Sequence, residues 1–494
     1  MALNVEILGS AVRPAILARS LGDILKLIAL SGLVPAAFAI ANGNLAFAAG
    51  CAALVIVLGG TGWRLGRLDV QGSLRQHEAM VVVCLAFIIA AIGYAFAMLT
   101  AGVEPLDSLF EAVSGITTTG LSTFASVADK PRSLVFTAAW LQWLGGLGII
   151  VLSFPLLFGQ GMQARTLTAV LVEPSDRMGG VRHYARTALI VYSAITALCF
   201  LLLWVSGATW FEAISFALSS VSTGGFAPVD DSLARYPFAI QGVVIAFCVL
   251  GAVAFPILHQ AAAGKVTAIL KDGEFRLLIL LGFVLTLVVA FDLLARAGTF
   301  RFQDLASAAV MAFSAQTTAG FSNLPVAELD ASSRLAMTAS MAIGGSMGSS
   351  AGGIKLLRVI ILIRVIQLFI LRTRLPEHAE STVQAFGRSW SDTEVTKMVA
   401  MTGVFALAVL FFWFVFVLFG YDPLNALFEV VSAVATVGLS TGICGPDLEP
   451  GLKLLLCLAM LMGRLEVLAV LVLLAPGTWR RRAHAGATRG KREL

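Results

Sequence analysis

Long apolar runs alternate with short charged connections along almost the whole chain. A helix needs about 20 apolar residues to cross the hydrocarbon core of a bilayer. Ten runs have about this length, and they predict an all-α polytopic membrane protein. The candidate spans are residues 21–41, 45–65, 79–99, 133–157, 185–205, 238–259, 275–295, 335–371, 395–419 and 452–474.

Four shorter apolar stretches lie between these spans. They cover residues 106–116, 210–221, 305–316 and 423–434. A helix of about 11 residues is roughly 16 Å long, which is half of the hydrocarbon core. Each stretch ends in a turn rich in Thr and Gly, so each is predicted to be a re-entrant half-helix.

The four turns repeat one pattern. Each has a glycine with Thr two residues before it, a small residue five before it and Ser six before it. A large apolar residue follows the glycine. A single copy favours an ordinary tight turn after a buried helix. Four copies, each midway between two spans, favour a pore instead. The glycines are Gly120, Gly225, Gly320 and Gly438.

The repeat predicts four membrane–pore loop–membrane units around one pore, preceded by two extra transmembrane helices. The predicted boundaries are 1–70 for the N-terminal two-helix extension, 71–160, 161–263, 264–375 and 376–479 for the four pore repeats, and 480–494 for a basic cytoplasmic tail.

The turns have the chemistry of a cation selectivity filter. A dehydrated alkali cation needs several oxygens to replace its hydration shell, and inward-pointing carbonyls can supply them. Glycine allows the positive φ that such backbone requires, and the half-helices direct their negative ends at the ion. The predicted filter residues are Thr117, Thr118, Thr119, Gly120, Ser222, Thr223, Gly224, Gly225, Thr317, Thr318, Ala319, Gly320, Ala435, Thr436, Val437 and Gly438. Ala435 lacks the hydroxyl of its three counterparts, which leaves the degree of selectivity open.

Composition and charge agree with this architecture. The 494 residues are 58% hydrophobic and 13% charged, against about 25% charged in soluble domains. Arg and Lys gather in alternate connections, which predicts that those connections and both termini are cytoplasmic, with no binding of nucleic acid. The opposite connections are more acidic. They form either a vestibule that attracts cations or ordinary solvated loops.

One predicted span, residues 335–371, is interrupted by a glycine-rich segment. Interior glycines cost a helix about 1 kcal/mol each, so the helix is predicted to unwind. The sequence favours equally a loop that lines a wet cavity and a close-packed helix crossing. The glycines are Gly344, Gly345, Gly348, Gly352 and Gly353.

Arg464 lies in the middle of the last apolar run, where a charge is costly and usually functional. We expect it below the filter, as a barrier to cations or as a donor to carbonyls of the glycine-rich loop. The alternative is a buried structural arginine. Glu466 is predicted to face away from Arg464. Lys355 either restarts the helix or faces the pore.

Three glutamates follow a Phe in the half-helices: Glu111, Glu212 and Glu429. Glu212 lies at a different distance from its filter glycine than the other two. All three are interpreted as structural or mouth-lining residues and not as ion ligands.

From residue 12 to about residue 479 the chain resembles the Trk/Ktr/HKT superfamily of K⁺ transporters, specifically the membrane subunit of bacterial Trk systems. The two N-terminal helices indicate the Trk branch. The resemblance implies a pore of four units, an intramembrane gate at the glycine-rich loop, a basic residue at the place of Arg464, and K⁺ uptake across the bacterial inner membrane. A glycine at the position of Gly120 is associated with K⁺, and Ser there with Na⁺.

The resemblance also implies a homodimer that binds a cytosolic nucleotide-sensing subunit, for which residues 165–186, 372–397 and the C-terminus are candidate docking segments. The chain itself has no nucleotide-binding motif, so no cofactor is expected besides the transported K⁺. Membrane lipid is the other expected partner. A Na⁺-conducting or Na⁺-coupled carrier on the same fold is the alternative function. A membrane enzyme is disfavoured, because the five His all map to cytoplasmic ends and loops.

Overall fold

The computed structural model describes residues 11–70, 72, 74–157, 177–299, 301–374 and 382–479. The predicted basic tail and residues 165–176 of the first candidate docking segment lie outside this part of the chain. Within it, the structure is helical except for one short β-hairpin, which confirms the predicted fold class.

The N-terminal extension is a helical hairpin made of α1 (Pro14–Ser31), α2 (Leu33–Ala41) and α3 (Leu45–Gly66). Small residues let its two arms approach closely: a Cβ on Gly62 would lie 2.8 Å from the carbonyl oxygen of Gly22. The first helix begins at Pro14, seven residues before the predicted start, because Pro is well suited to the first turn of a helix.

Four sets of helices follow, each with a short helix between longer ones. The first set is α4 (Gln76–Leu99), α5 (Pro105–Ile116) and α6 (Arg132–Leu157). The second is α7 (Arg177–Val205), α8 (Trp210–Val221), α9 (Phe238–Gly251) and α10 (Phe255–Ala262), and the short α11 (Thr267–Lys271) leads to the third. The third is α12 (Gly273–Ala297), α13 (Phe302–Gln316), α14 (Ala331–Ile343) and α15 (Leu356–Arg372). The fourth is α16 (Asp392–Leu418), α17 (Pro423–Val434), α18 (Pro450–Arg464), α19 (Leu468–Leu474) and the terminal turn α20 (Pro476–Trp479).

The second span of a set, called here the inner helix, is broken in the last three sets. The chain bends by 110° between α9 and α10 and by 114° between α18 and α19. Residues 344–355 separate α14 from α15 without helical structure. The predicted spans 238–259 and 452–474 are therefore each a pair of helices with a sharp bend, which the apolar runs did not indicate. Pro256 favours the first bend, whereas a tertiary contact described below accompanies the second.

By length and composition, seven helices of the described residues can cross a membrane, or nine when each bent pair is one span. Large apolar side chains on their outer faces are exposed, among them Leu287, Phe291, Phe411 and Leu418. Apolar side chains in such numbers on an exposed surface suit contact with lipid. The chain is thus a multi-pass membrane protein, as predicted.

The half-helices start with strong N-terminal signals. Pro105 and Pro423 begin α5 and α17, and the carboxylate of Asp422 accepts a hydrogen bond from the Asn425 N–H at 2.9 Å. In α8 the side chains of Thr209 and Glu212 form a reciprocal capping box. This structural role explains why Glu212 is out of register with the other two glutamates.

A β-hairpin, which the sequence did not predict, connects the third and fourth sets. Its strands β1 (Val383–Ala385) and β2 (Arg388–Trp390) pair antiparallel, with Val383 opposite Trp390. The hairpin packs against α15, within the predicted docking segment 372–397.

Candidate ion-binding site

The four Thr-x-Gly turns meet in a closed ring. At each filter glycine, an added Cβ would almost touch a carbonyl oxygen of the next turn, so no larger residue fits without movement. The distance from the added Cβ to the carbonyl oxygen is 2.2 Å for Gly120 with Gly224, 2.4 Å for Gly225 with Ala319, 2.0 Å for Gly320 with Val437 and 2.1 Å for Gly438 with Thr119. The turns thus follow one another around an axis in chain order, and the fourth closes on the first.

All four turns share one backbone conformation. The first residue of each has φ between −84° and −81°. The threonine has φ between 51° and 55°, the third residue returns to negative φ, and the glycine has φ between 78° and 97°. A left-handed β-branched residue is rare and costs about 1–3 kcal/mol. Its presence in four equivalent places marks a functional constraint. The threonines are Thr118, Thr223, Thr318 and Thr436.

Hydrogen bonds to the half-helices orient these turns. The N–H of the third residue in each turn donates to the carbonyl of the serine six residues before the glycine, for example from Thr119 to Ser114 at 2.9 Å. The C=O and N–H of one trans peptide point in opposite directions. Because these N–H groups point back to the half-helices, the carbonyls of the four threonines point away from them, toward the axis.

The threonine hydroxyls complete an oxygen-lined site. The hydroxyls of Thr118 and Thr436 are buried and have no hydrogen-bond partner in the described part of the chain. Thr318 accepts from the Gly352 N–H at 2.7 Å. A buried hydroxyl without a partner is costly, so these two suit an ion or its water. Carbonyl and hydroxyl oxygens are the ligands that filters for alkali cations use.

The glycine-rich segment lies directly beneath this ring. Besides the bond from Gly352 to Thr318, the Ser350 hydroxyl donates to the carbonyls of Gly251 at 2.8 Å and Val221 at 3.2 Å. A Cβ on Gly352 would lie 1.9 Å from the Ala435 carbonyl oxygen. The segment therefore contacts turns two, three and four at their inner ends.

Arg464 links this loop to the first set of helices. Its guanidinium donates to the carbonyls of Ser350 at 2.7 Å and Gly145 at 2.9 Å, and the side chain is buried. It lines a small cavity of about 30 Å³ below the loop, together with Lys355 and Arg358. Among the described residues no carboxylate forms a salt bridge with Arg464.

Glu466 forms a salt bridge that its position in the sequence did not indicate. Its carboxylate accepts from Arg358 in the first turn of α15 at 2.5 Å, and Arg358 is buried. Glu466 and Val467 have φ of 60° and 44°, where the last inner helix breaks. Lys355 immediately precedes α15 with φ of 82° and donates to the carbonyl of Ala351, so it restarts the helix.

Glu111 and Glu429 brace the segments that follow the filter. Glu111 accepts from the Ser122 hydroxyl at 2.7 Å and the Thr123 N–H at 2.8 Å. Glu429 accepts in the same way from Ser440 at 2.8 Å and from the Thr441 N–H at 3.0 Å. Both carboxylates lie in the half-helices of the first and fourth sets and are buried, so each fixes the segment that follows its filter turn.

The outer loops of the first two sets are joined at Asp230. Its carboxylate accepts from the Val127 N–H at 2.5 Å and the Ser126 hydroxyl at 2.9 Å. Partial burial disfavours the charged form, but these hydrogen bonds outweigh it and hold the pKa of Asp230 below its usual range. A negative charge therefore persists at the junction of these two loops at neutral pH.

Comparison with known proteins now identifies the family. The family model described as TrkH, cation transport protein, matches residues 47–479. The Trk system potassium uptake protein TrkH of Halomonas elongata is 29% identical over 489 residues, which are 94% of this chain and 98% of that protein. The protein of the same name from Escherichia coli K12 is 27% identical, over 86% of this chain and 91% of that one.

A solved structure has the same fold. The crystal structure of the potassium transporter TrkH from Vibrio parahaemolyticus superimposes with a TM-score of 0.84 at 25% sequence identity, and the match covers 95% of this chain and 100% of that chain. These matches confirm the resemblance found in the sequence: the chain belongs to the TrkH family of cation transport proteins.

Proposed function

We propose that this chain takes up K⁺ across the cell membrane through the ring of four Thr-x-Gly turns. The observation that carries the proposal is the closed ring itself, with its four strained threonines and close-packed glycines. Relatives named as potassium uptake proteins, which match most of the chain, support K⁺ as the ion. Membership in a family of cation transporters confirms that the chain is not an enzyme.

In this proposal the sixteen predicted filter residues select K⁺, and the loop over residues 344–355 with Arg464 forms the gate. Two observations support the gate. The loop lies across the inner end of the ring, and the hydrogen bonds of Arg464 hold it there. Opening requires these bonds to break, after which the guanidinium charge still opposes the passage of cations.

The proposal includes a bacterial inner membrane location with cytoplasmic termini, a homodimer, and a cytosolic nucleotide-binding subunit. The hairpin β1–β2 supports the binding of a cytosolic subunit. It lies in the described part of segment 372–397 and packs on α15, the helix that follows the gate loop. A protein bound to this hairpin can act on the loop through α15.

Uptake by a K⁺-uptake-deficient bacterium tests the function. Cells that express this chain together with a Trk-type cytosolic subunit should grow at low K⁺ and accumulate Rb⁺, with weak inhibition by excess Na⁺. An empty vector and the variant Gly320→Val, whose side chain would enter the ring, are the controls. Rb⁺ uptake equal to the empty vector, from protein present in the membrane, would reject the K⁺ proposal. Strong inhibition by Na⁺ would favour the Na⁺ alternative.

A further inference from the structure

Gln142 is a buried amide in the otherwise apolar middle of α6, the inner helix of the first set. Its Nε2 donates to the Gly224 carbonyl at 2.5 Å, and its Oε1 accepts from the Phe226 N–H at 3.1 Å. Both partners belong to the second filter turn, on either side of Gly225. One side chain therefore reaches across the boundary between two units and binds the filter backbone at two points.

The two bonds fix the direction of a filter carbonyl. They also define which end of the amide carries the oxygen, because one partner is an acceptor and the other a donor. The N–H of Phe226 points at Gln142, and the C=O of Gly225 belongs to the same trans peptide and points the opposite way. Since α6 packs behind the half-helices α5 and α8, the Gly225 carbonyl is directed away from α6, toward the axis.

A difference among the four turns independently supports this pairing. The third turn position holds Thr119, Ala319 and Val437 in three turns, but Gly224 in the second. The φ of Gly224 is not positive, so backbone strain does not require glycine. A Cβ there would instead lie 2.4 Å from Cδ of Gln142. The amide thus occupies the space that a side chain takes in the other turns.

The equivalent positions of two other inner helices carry no amide. Gly145, Gly251 and Gly463 are equivalent, because each packs against the carbonyl of the residue four before a filter glycine. Three residues before them lie Gln142, Cys248 and Met460. No side-chain hydrogen bond from Cys248 or Met460 to a filter turn is found among the described residues. Of these three equivalent residues, Gln142 is the one that binds a filter turn of a neighbouring unit.

We propose that Gln142 is a positioning residue for ion selectivity, which orients the Gly225 carbonyl and ties the inner helix of the first set to the second filter turn. The proposal rests on the proposed function and adds a residue outside the four turns to the selectivity machinery. Without the amide, the Gly224 carbonyl and the Phe226 N–H lose their partners, and the two peptide planes that they belong to can rotate. The ring then adapts more easily to the smaller Na⁺.

The variant Gln142→Leu tests the proposal, with Met460→Leu as a matched control at the same position of another inner helix. Rb⁺ uptake and its inhibition by Na⁺ are measured in cells, and the amount of each variant in the membrane is determined. For Gln142→Leu we expect uptake to persist while the Na⁺ concentration that halves it falls about tenfold, as for loss of one buried hydrogen bond. Met460→Leu should match the unchanged protein. If Gln142→Leu does not reach the membrane, Gln142→Met is read in the same assay.

A double substitution separates the steric contact between Gly224 and Gln142 from the hydrogen bonds of Gln142. Gly224→Ala should abolish uptake, because the new methyl group collides with Gln142. Adding Gln142→Ala removes Cδ and Oε1 of Gln142, the two atoms nearest to the new methyl group. Part of the uptake should therefore return, but discrimination against Na⁺ should not. Normal Na⁺ inhibition in the single Gln142 variants would overturn the inference and leave the proposed function intact. Absence of Rb⁺ uptake by the unchanged protein would reject the proposed function itself.

Discussion

Threonine in the left-handed region is a costly local conformation, and it occurs at the same place in all four turns. The strain is accepted because the half-helix behind each turn receives its N–H groups and leaves the carbonyls free. Glycine two residues later is required twice, by positive φ and by the carbonyl of the next turn. The proposed selectivity thus depends on a backbone conformation that is held by hydrogen bonds and close packing.

The variant Gly120→Ser should lose most of its discrimination between K⁺ and Na⁺. Its Cβ would lie 2.2 Å from the Gly224 carbonyl oxygen, and the first two turns must separate to accept it. We expect the Na⁺ concentration that halves Rb⁺ uptake to fall by about tenfold, which corresponds to roughly 1.4 kcal/mol. Gly102→Ser is the control, because Gly102 also has positive φ but nothing within 4 Å of its Cβ. Equal effects of the two substitutions would mean that only backbone strain matters.

Substitutions of Arg464 distinguish an electrostatic barrier to cations from a structural residue. If its charge opposes cation flow, Arg464→Ala should raise the maximal rate of Rb⁺ uptake several-fold, and Arg464→Lys should stay close to the original rate. Both variants lose hydrogen bonds to Ser350 or Gly145, so thermal unfolding in detergent is measured in parallel. A large loss of folded protein in both variants, without a gain in rate, would make Arg464 a structural residue.

At the scale of elements, sequence periodicity predicted where helices lie but not where they bend. The half-helices could be predicted because they are short and end in a repeated turn. The loop at residues 344–355 was predicted from its glycines, and its position under the ring was implied only by the family resemblance. The break at Glu466 and Val467 has no Gly or Pro in the sequence and is accompanied by a salt bridge to α15, so only tertiary structure reveals it. Gln142 left one signal, a lone amide in an apolar span, and its partner lies in another repeat.

The salt bridge between Arg358 and Glu466 should contribute measurably to stability. Glu466→Gln leaves the buried guanidinium without its counter-charge, which is among the more damaging changes that an ion pair can undergo. We expect the unfolding temperature in detergent to fall by several degrees, and the reversed pair Arg358→Glu with Glu466→Arg to recover part of it. Asp330→Asn, which breaks a more exposed pair with Arg296, should change it by less. A similar loss in both would argue against a special role for the buried pair.

At the scale of the whole molecule, the distribution of charge predicts sidedness, and the family match agrees with the fold but does not test orientation. In the sequence the filter turns and the basic residues fall in alternate connections, which predicts that they lie on opposite sides of the membrane. The family and the four turns followed from the sequence, whereas ten spans were predicted and the described residues contain seven spanning helices, or nine when each bent pair is one span. The order of the turns around the ring required structure, because no local pattern specifies which unit lies next to which.

Labelling of single added cysteines should show this orientation in intact cells. A membrane-impermeant thiol reagent should modify Ala327→Cys, in an exposed loop after the third turn, and should leave Ala263→Cys, in the exposed connection after α10, unmodified until the cells are opened. The unchanged protein, with its six native cysteines, gives the background. The opposite labelling pattern would invert the proposed topology.

Among the described residues, a long segment without helical structure, residues 344–355, interrupts the inner helix of the third unit, whereas those of the second and fourth are sharply bent at short breaks. A pore built from four identical subunits opens by a concerted change in all of them, and its response to a stimulus is correspondingly steep. In the proposed function this single loop is the gate, so one binding event suffices for each pore. Activation per pore should therefore follow a simple saturation curve with a Hill coefficient near one, and a graded stimulus should produce a graded supply of ion to the cell.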